Sequence, residues 1–241
     1  PFTAPWLIFA DLQTDFPGLG DPVLVASKSE RSSAFLQPQN LLNVTNQIAV
    51  IAILAIGMTL VIICGGIDLS VGSLIALAAV TATLLIRDLF GGTEASTGSM
   101  VLACLGAVGL CALVGWMTGA VVTVFRVPAF IVTLGMMLVA RGVAGRATEH
   151  QSVYEVPESF IWLGRGADLF DIPNAVVLML ALYVGAHWFM RHTALGRHLY
   201  AVGGNADAAL VSGLPVGRIT RFAYTISAAL AGLGGVVMAS N

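Results

Sequence analysis

Few stretches of this chain of 241 residues place polar groups at a spacing that could do chemistry. One is Gly65-Gly66-Ile67-Asp68-Leu69-Ser70-Val71-Gly72, where a lone acid sits between two long apolar runs. A carboxylate at the centre of a bilayer costs about 2.5–3.5 kcal/mol on insertion scales. Asp68 must therefore face protein, water or a helix end. Preceding Leu69-Ser70-Val71, it is placed to N-cap the next helix, a position that favours Asp strongly. A second stretch runs from Asn205 to Pro215. Asn205 can N-cap, Asp207 suits the positive first turn, and Gly213 followed by Pro215 supplies a stop. One short capped helix over 206–212 is expected there. Elsewhere the pattern argues against catalysis. His187, beside Trp188 in an apolar run, reads as hydrogen-bonded within a bundle, and His150, His192 and His198 are scattered without metal spacing. Cys64, Cys104 and Cys111 lie in apolar runs and form no CxxC, so they read as small buried apolar groups, not as a disulfide framework. The single lysine, Lys28, lacks the glycine spacing of a phosphate-binding loop.

The elements that must position these residues are apolar spans. The chain is 57% hydrophobic and 10% charged, with mean hydropathy +0.90. Soluble domains carry about 25% charged residues, so this deficit defines an integral membrane protein. A net charge of −2 gives no sign of a nucleic-acid partner. Six candidate spans are expected over 48–64, 69–86, 100–125, 128–146, 174–190 and 219–239. Several fall short of the roughly 20 residues of a straight span, which favours a bundle with Gly-interrupted, broken helices. Gly115 and Gly119 form a small-xxx-small pair suited to close helix approach. The fold class is all-α, a polytopic transmembrane helix bundle.

Residues 1–34 read as an N-terminal loop, with Pro5–Ala10 as the remnant of a spanning helix. Phe35, Leu36, Leu41, Leu42 and Val44 suit a short interfacial helix. The first residue is not Met and the last follows an apolar run, so a longer natural chain, cut at both ends, is expected. The 147–173 loop is acidic; the 191–218 loop holds Arg191, His192, Arg197, His198 and Arg218 against Asp207 alone. Positive charge concentrates in short cytoplasmic loops, so 191–218 is expected inside and 147–173 outside. Arg141 and Arg146 can snorkel or pair with the acidic loop.

Three ordered blocks carry a family resemblance. Gly57-Met58-Thr59-Leu60-Val61-Ile62 with Gly65 to Ser73 resembles the signature of permease subunits of ribose-type ABC sugar importers. Thr193 to Asn205 is similar to the cytoplasmic block of that family, and Asp207-Ala208-Ala209 with Gly213 resembles the EAA-type coupling motif of ABC importers. Ile131-Val132-Thr133-Leu134-Gly135 after Pro128 is a third match. The chain departs from the family pattern at Pro128-Ala129-Phe130-Ile131, at Thr118 before Gly119, and at Thr148-Glu149-His150-Gln151.

The resemblance covers 35–241 and implies a permease domain, incomplete at its C-terminus, in a bacterial plasma (inner) membrane. It implies ATP-driven import of a monosaccharide resembling ribose, xylose or galactose. The implied partners are a cytoplasmic ABC ATPase subunit that holds ATP and Mg, an external sugar-binding protein, membrane lipid, and a second permease copy or paralogue. No cofactor or metal is expected on this chain. Coupling to the ATPase would fall to Gly203, Gly204, Asn205, Asp207, Ala208, Ala209 and Gly213. Asn46, Gln47, Thr59, Asp68, Ser70 and Thr133 are the polar candidates for the substrate pathway. Two other readings stand beside this one: a related ABC permease for an autoinducer, nucleoside or branched-chain amino acid, and a membrane-embedded enzyme. The enzyme reading would need clustered His, Asp or Glu within spans, and only Asp68 and His187 qualify.

Overall fold

The computed structural model describes residues 37–149, 151, 153–168 and 172–241. The expectations for 1–34 and for Phe35, Leu36 and His150 lie outside these residues. The described chain is helical and has no strand. In order, α1 spans Pro38–Ile63, α2 Val71–Leu84, α3 Thr97–Val124, α4 Ala129–Ala147, α5 Trp162–Arg165, α6 Asn174–His192, α7 Ala194–Gly204, α8 Ala206–Val211 and α9 Val216–Ala239. A π turn, Leu85–Leu89, extends α2. Six of these segments are long and apolar enough to cross a membrane: Asn40–Ile63, Val71–Leu89, Thr97–Val124, Ala129–Ala147, Asn174–His192 and Val216–Ala239. The protein is a multi-pass membrane protein built as an all-α bundle.

Two expectations need correction. The short interfacial helix does not stand apart: its described part runs into the first span as a single helix from Pro38 to Ile63. No Gly or Pro interrupts that stretch before Gly57, and Asn or Gln in a helix costs only tenths of a kcal/mol relative to Ala. The connection over 191–218 holds two helices, not one. The extra helix, α7, is N-capped by Thr193, whose hydroxyl accepts from the Gly196 amide at 3.1 Å. It buries Leu199 and Val202.

The centre of the bundle is α9, packed against α1, α2 and α3. Its inward positions are mostly small: Ala223, Ser227, Ala228, Ala231, Gly232, Gly234 and Gly235 are all buried. Membrane helices associate through such close van der Waals packing, because lipid gives no hydrophobic drive between helices. The expected Gly115/Gly119 pair lies in this seam. A Cβ on Gly119 would stand 2.9 Å from Arg221 Cα, and one on Gly115 would strike Ala228 and the Tyr224 carbonyl. Gly57 does the same for α1, where a Cβ would stand 2.8 Å from Ser227 Cα. Gly235 packs on the Ile75 carbonyl and Ala78 of α2.

The contacts sort the connections to two ends. Gly203 approaches Ile63, Thr123 lies beside Gly217, and Thr133 bonds Ile67. This basic end gathers the 64–70 break, the 125–128 turn and α7–α8. At the opposite, acidic end, Gly164 packs on Ser240, Gly92 on Glu155, and Ser159 lies 3.8 Å from Met100 Sδ.

Candidate functional site

The break between α1 and α2 folds back into the bundle instead of leaving it. Gly65 makes the reversal with φ +76°, where a Cβ would be strained, and its amide bonds the Ile62 carbonyl at 2.9 Å. The chain then rises beside α9 to Asp68, which is 2% exposed. Asp68 Oδ1 accepts from the Ser70 amide at 2.9 Å and the Ser70 hydroxyl at 2.6 Å. Oδ2 accepts from the Ser227 hydroxyl of α9 at 3.5 Å. One residue earlier, the Ile67 carbonyl accepts from two hydroxyls, Thr133 of α4 and Tyr224 of α9, each at 3.3 Å. Thr133, Ser70, Ser227 and Tyr224 are all buried.

This arrangement shifts the role expected of Asp68. Ser70, not Asp68, occupies the N-cap position of α2, and the Ser70 side chain caps no helix amide. Asp68 stands two residues upstream and closes an Asx turn on Ser70. The carboxylate is affordable here because hydroxyl and amide donors replace water at both oxygens. The break is thus a buried polar hub that fastens α1, α2, α4 and α9 together. Of the pathway candidates, it unites Asp68, Ser70 and Thr133. Tyr224 and Ser227, on α9 at sequence separations of 157 and 159, complete it. Their sequence neighbourhood, with Arg221, Phe222 and Thr225 beside them, does not single them out.

The other pathway candidates lie elsewhere. Thr59 is exposed, and its hydroxyl donates back to the Ala55 carbonyl at 2.6 Å. Asn46 and Gln47 line a cleft of about 820 Å³ toward the acidic end, with Asn43, Arg165 and Asn241. There Asn46 Nδ2 donates to Asn241 Oδ1 at 3.0 Å. His187 is also misplaced by the sequence reading, since it stands on the exposed face of α6. Arg141 and Arg146 are exposed, and among the described residues the ion pair found is Arg87–Asp88. Cys111 is fully buried, while Cys64 and Cys104 are half-buried. No group of three metal-binding side chains occurs among the described residues.

At the basic end, α8 has the capping chemistry expected of it. Asn205 Oδ1 accepts from the Ala208 amide at 2.9 Å. At the other terminus the Gly213 amide bonds the Leu210 carbonyl and the Leu214 amide the Ala209 carbonyl, each at 3.0 Å. Gly213 has φ +83°. This is a Schellman ending, which fixes the exit of the chain toward α9. Asp207 and Ala208 face outward with Leu210 and Val211, which are 61% and 90% exposed. Ala209 turns inward and joins a cluster with Leu60, Val61, Leu199, Val202, Ile219, Ala223 and Tyr224. Leu210 and Val211, absent from the expected coupling set, are the apolar part of the outward face. Gly203 sits where α7 meets the end of α1, and any Cβ there would fall on the Ile63 carbonyl oxygen. Gly204 has open space around it.

Membrane-spanning helices around a small-residue seam, with a break folded into the bundle and a capped helix pair at one end, define a polytopic membrane helix bundle. The chain belongs to the family described as branched-chain amino acid transport system / permease component, whose model matches residues 40–241. It is 40% identical over 219 residues to the ribose import permease protein of Escherichia coli (strain K12), covering 89% of this chain and 65% of that protein. It is 34% identical over 227 residues to the ribose import permease protein of Bacillus subtilis (strain 168), covering 93% of this chain and 68% of that one. The L-arabinose ABC transporter permease protein of Azospirillum brasilense is 34% identical over 219 residues, 91% of this chain and 62% of that one. The chain thus spans just under two thirds of the length of its Escherichia coli relative. No solved structure matches it. The resemblance to ribose-type ABC sugar permeases read from the three sequence blocks is borne out, as is residence in the inner membrane.

Proposed function

We propose that this chain is the membrane permease subunit of an ATP-driven importer of a monosaccharide of the ribose type, working by alternating access. The observation that carries the coupling part is α8: a short helix, locked at both ends, whose outward face of Asp207, Ala208, Leu210 and Val211 is held out from the bundle. The basic end would be cytoplasmic, as loop charge favours. A cytoplasmic ATPase subunit, carrying ATP and Mg, would receive α8. An external sugar-binding protein would deliver cargo at the acidic end, and a second permease copy or paralogue would complete the pathway. Cargo class is supported by the relatives named for ribose and L-arabinose.

Force on α8 has a defined route. The inward Ala209 seats α8 on α7 and the end of α1 through the shared apolar cluster. At Gly203, α7 rests against the Ile63 carbonyl, immediately before the break. From there the Thr133, Tyr224 and Ser227 hydroxyls tie the break to α4 and α9. A rigid displacement of the ATPase would reach the bundle core through this hub, and repacking of the spans would switch access from one side to the other. Asp68 would be the structural acceptor of the hub, with Ser70 and Thr133. Asn46 and Gln47, in the cleft of the acidic end, would be the candidates that meet cargo.

The test is Gly213→Val in the full chain with its ATPase and binding protein. A branched residue at φ +83° destroys the exit turn. The expected result is normal membrane insertion with loss of ATP-driven sugar uptake. Normal uptake would sink the coupling role of α8. The description of the matched family also keeps a branched-chain amino acid cargo in play. Labelled leucine and labelled ribose offered to the same vesicles separate the two.

A further inference from the structure

The first two turns of α9 carry two cations, Arg218 and Arg221. Arg218 and Arg221, with Phe222 and Thr225, form one wall of a crevice of about 340 Å³, and Trp116 of α3 forms the other. Arg221 is half-buried, and a Cβ on Gly119 of α3 would stand 2.9 Å from Arg221 Cα and 3.3 Å from its Cγ. Arg221 Nε donates to the Gly217 carbonyl at 3.1 Å, and Arg221 lines the crevice. Of the acids among the described residues, two lie at this end. Asp68 is buried with both oxygens occupied, and Asp207 is on the outward face of α8. Neither Arg218 nor Arg221 forms an ion pair among the described residues.

An arginine near the end of a spanning helix pairs with backbone carbonyls or with an opposite charge, and the N–H groups of Arg218 and Arg221 beyond the Gly217 contact suit an anion. Arg218 and Arg221, three residues apart on α9, both line the crevice, and a guanidinium fork matches a phosphate. Trp116 and Leu113 lie on one face of α3, both more than half exposed or nearly so, at 50% and 54%. A Trp at the rim of an apolar face marks the headgroup level of a bilayer. Phosphate chemistry above and an apolar flank below describe a phospholipid standing against the bundle. We infer that Arg218, Arg221 and Trp116 form a binding site for the phosphodiester of an anionic phospholipid, between α3 and α9.

The experiment is a titration of the purified full chain with phosphatidylglycerol in phosphatidylcholine nanodiscs, read as lipid retained per protein by mass spectrometry. R218Q/R221Q is expected to lower the affinity by more than about 30-fold, the loss of one surface-charge contribution per arginine at about tenfold per 1.4 kcal/mol, with the loss of the planar forks added to it. Arg141→Gln, on α4, is expected to leave it unchanged, and inorganic phosphate is expected not to displace the lipid. The lysine pair R218K/R221K keeps both charges and the fold but loses the forks, and its affinity is expected to fall between the other two. Wild-type retention by R218Q/R221Q would overturn the site, as would displacement by inorganic phosphate alone. So would a lysine pair indistinguishable from wild type. A double variant that keeps its lipid but loses an ATPase subunit would instead assign the crevice to a protein partner and refute the lipid site.

Discussion

Removing both hydroxyls from the Ile67 carbonyl should cost more than the two single removals together. Thr133 and Tyr224 each donate to that one oxygen at 3.3 Å, and both side chains are essentially sealed from solvent, at 0% and 1% exposure. Thr133→Val removes one donor with little change in volume, and Tyr224→Phe removes the other. Interhelical hydrogen bonds in membrane proteins average about 0.6 kcal/mol. Each single variant leaves the carbonyl one partner, so each should cost about that much. The double variant leaves a buried acceptor unpaired, which costs about 1–3 kcal/mol in its own right. The double loss should therefore exceed the sum of the singles by about 1 kcal/mol, a coupling of the size expected for groups sharing one partner. Reversible unfolding of the full chain in mixed micelles measures all four corners of the cycle. Additivity within about 0.3 kcal/mol would refute the hub as a shared fastening point.

Two further perturbations follow from the same contacts. Asp68→Asn keeps an oxygen for the Ser70 amide, so sugar uptake by the assembled transporter should stay near wild type; loss of uptake with normal assembly would move Asp68 into the pathway. Gly57→Leu should abolish accumulation of folded protein, because the side chain would meet the α9 backbone at Ser227, whereas Gly135→Ala, with nothing within 4 Å, should be neutral in a detergent-stability assay.

The sequence carried local information well. The spans followed from apolar run length, and both ends of α8 followed from one Asn and one Gly, because capping depends on neighbours within a few residues. The Gly115/Gly119 seam was visible for the same reason, since its spacing puts both on one face. Non-local features were not visible. Tyr224 bonds Ile67 and Ser227 bonds Asp68 across more than 150 residues, and nothing in their own neighbourhood marks them. Gly57 belongs to the same packing seam but has no small neighbour four residues away to announce it. The missed α7 holds Gly196, Gly203 and Gly204 among charged residues, a composition that reads as loop; the Thr193 cap with Leu195, Leu199 and Val202 at helical spacing was the available signal. Ala209 and Leu210 differ by one residue yet face inward and outward, and only packing decides which face meets the bundle. Asp68 illustrates the opposite limit: the sequence identified an acid that must be satisfied, and the fold chose an Asx turn two residues before the cap position.

The most direct measurement is sugar uptake by proteoliposomes holding the full chain with the proposed ATPase and external binding proteins. Labelled ribose-type sugar should accumulate only when ATP is present on the α8 side. Leu210→Asp/Val211→Asp, which places charge on the outward apolar face of that helix, should reduce accumulation to background while the permease still inserts. Accumulation without ATP, or undiminished accumulation by that double variant, would contradict the account.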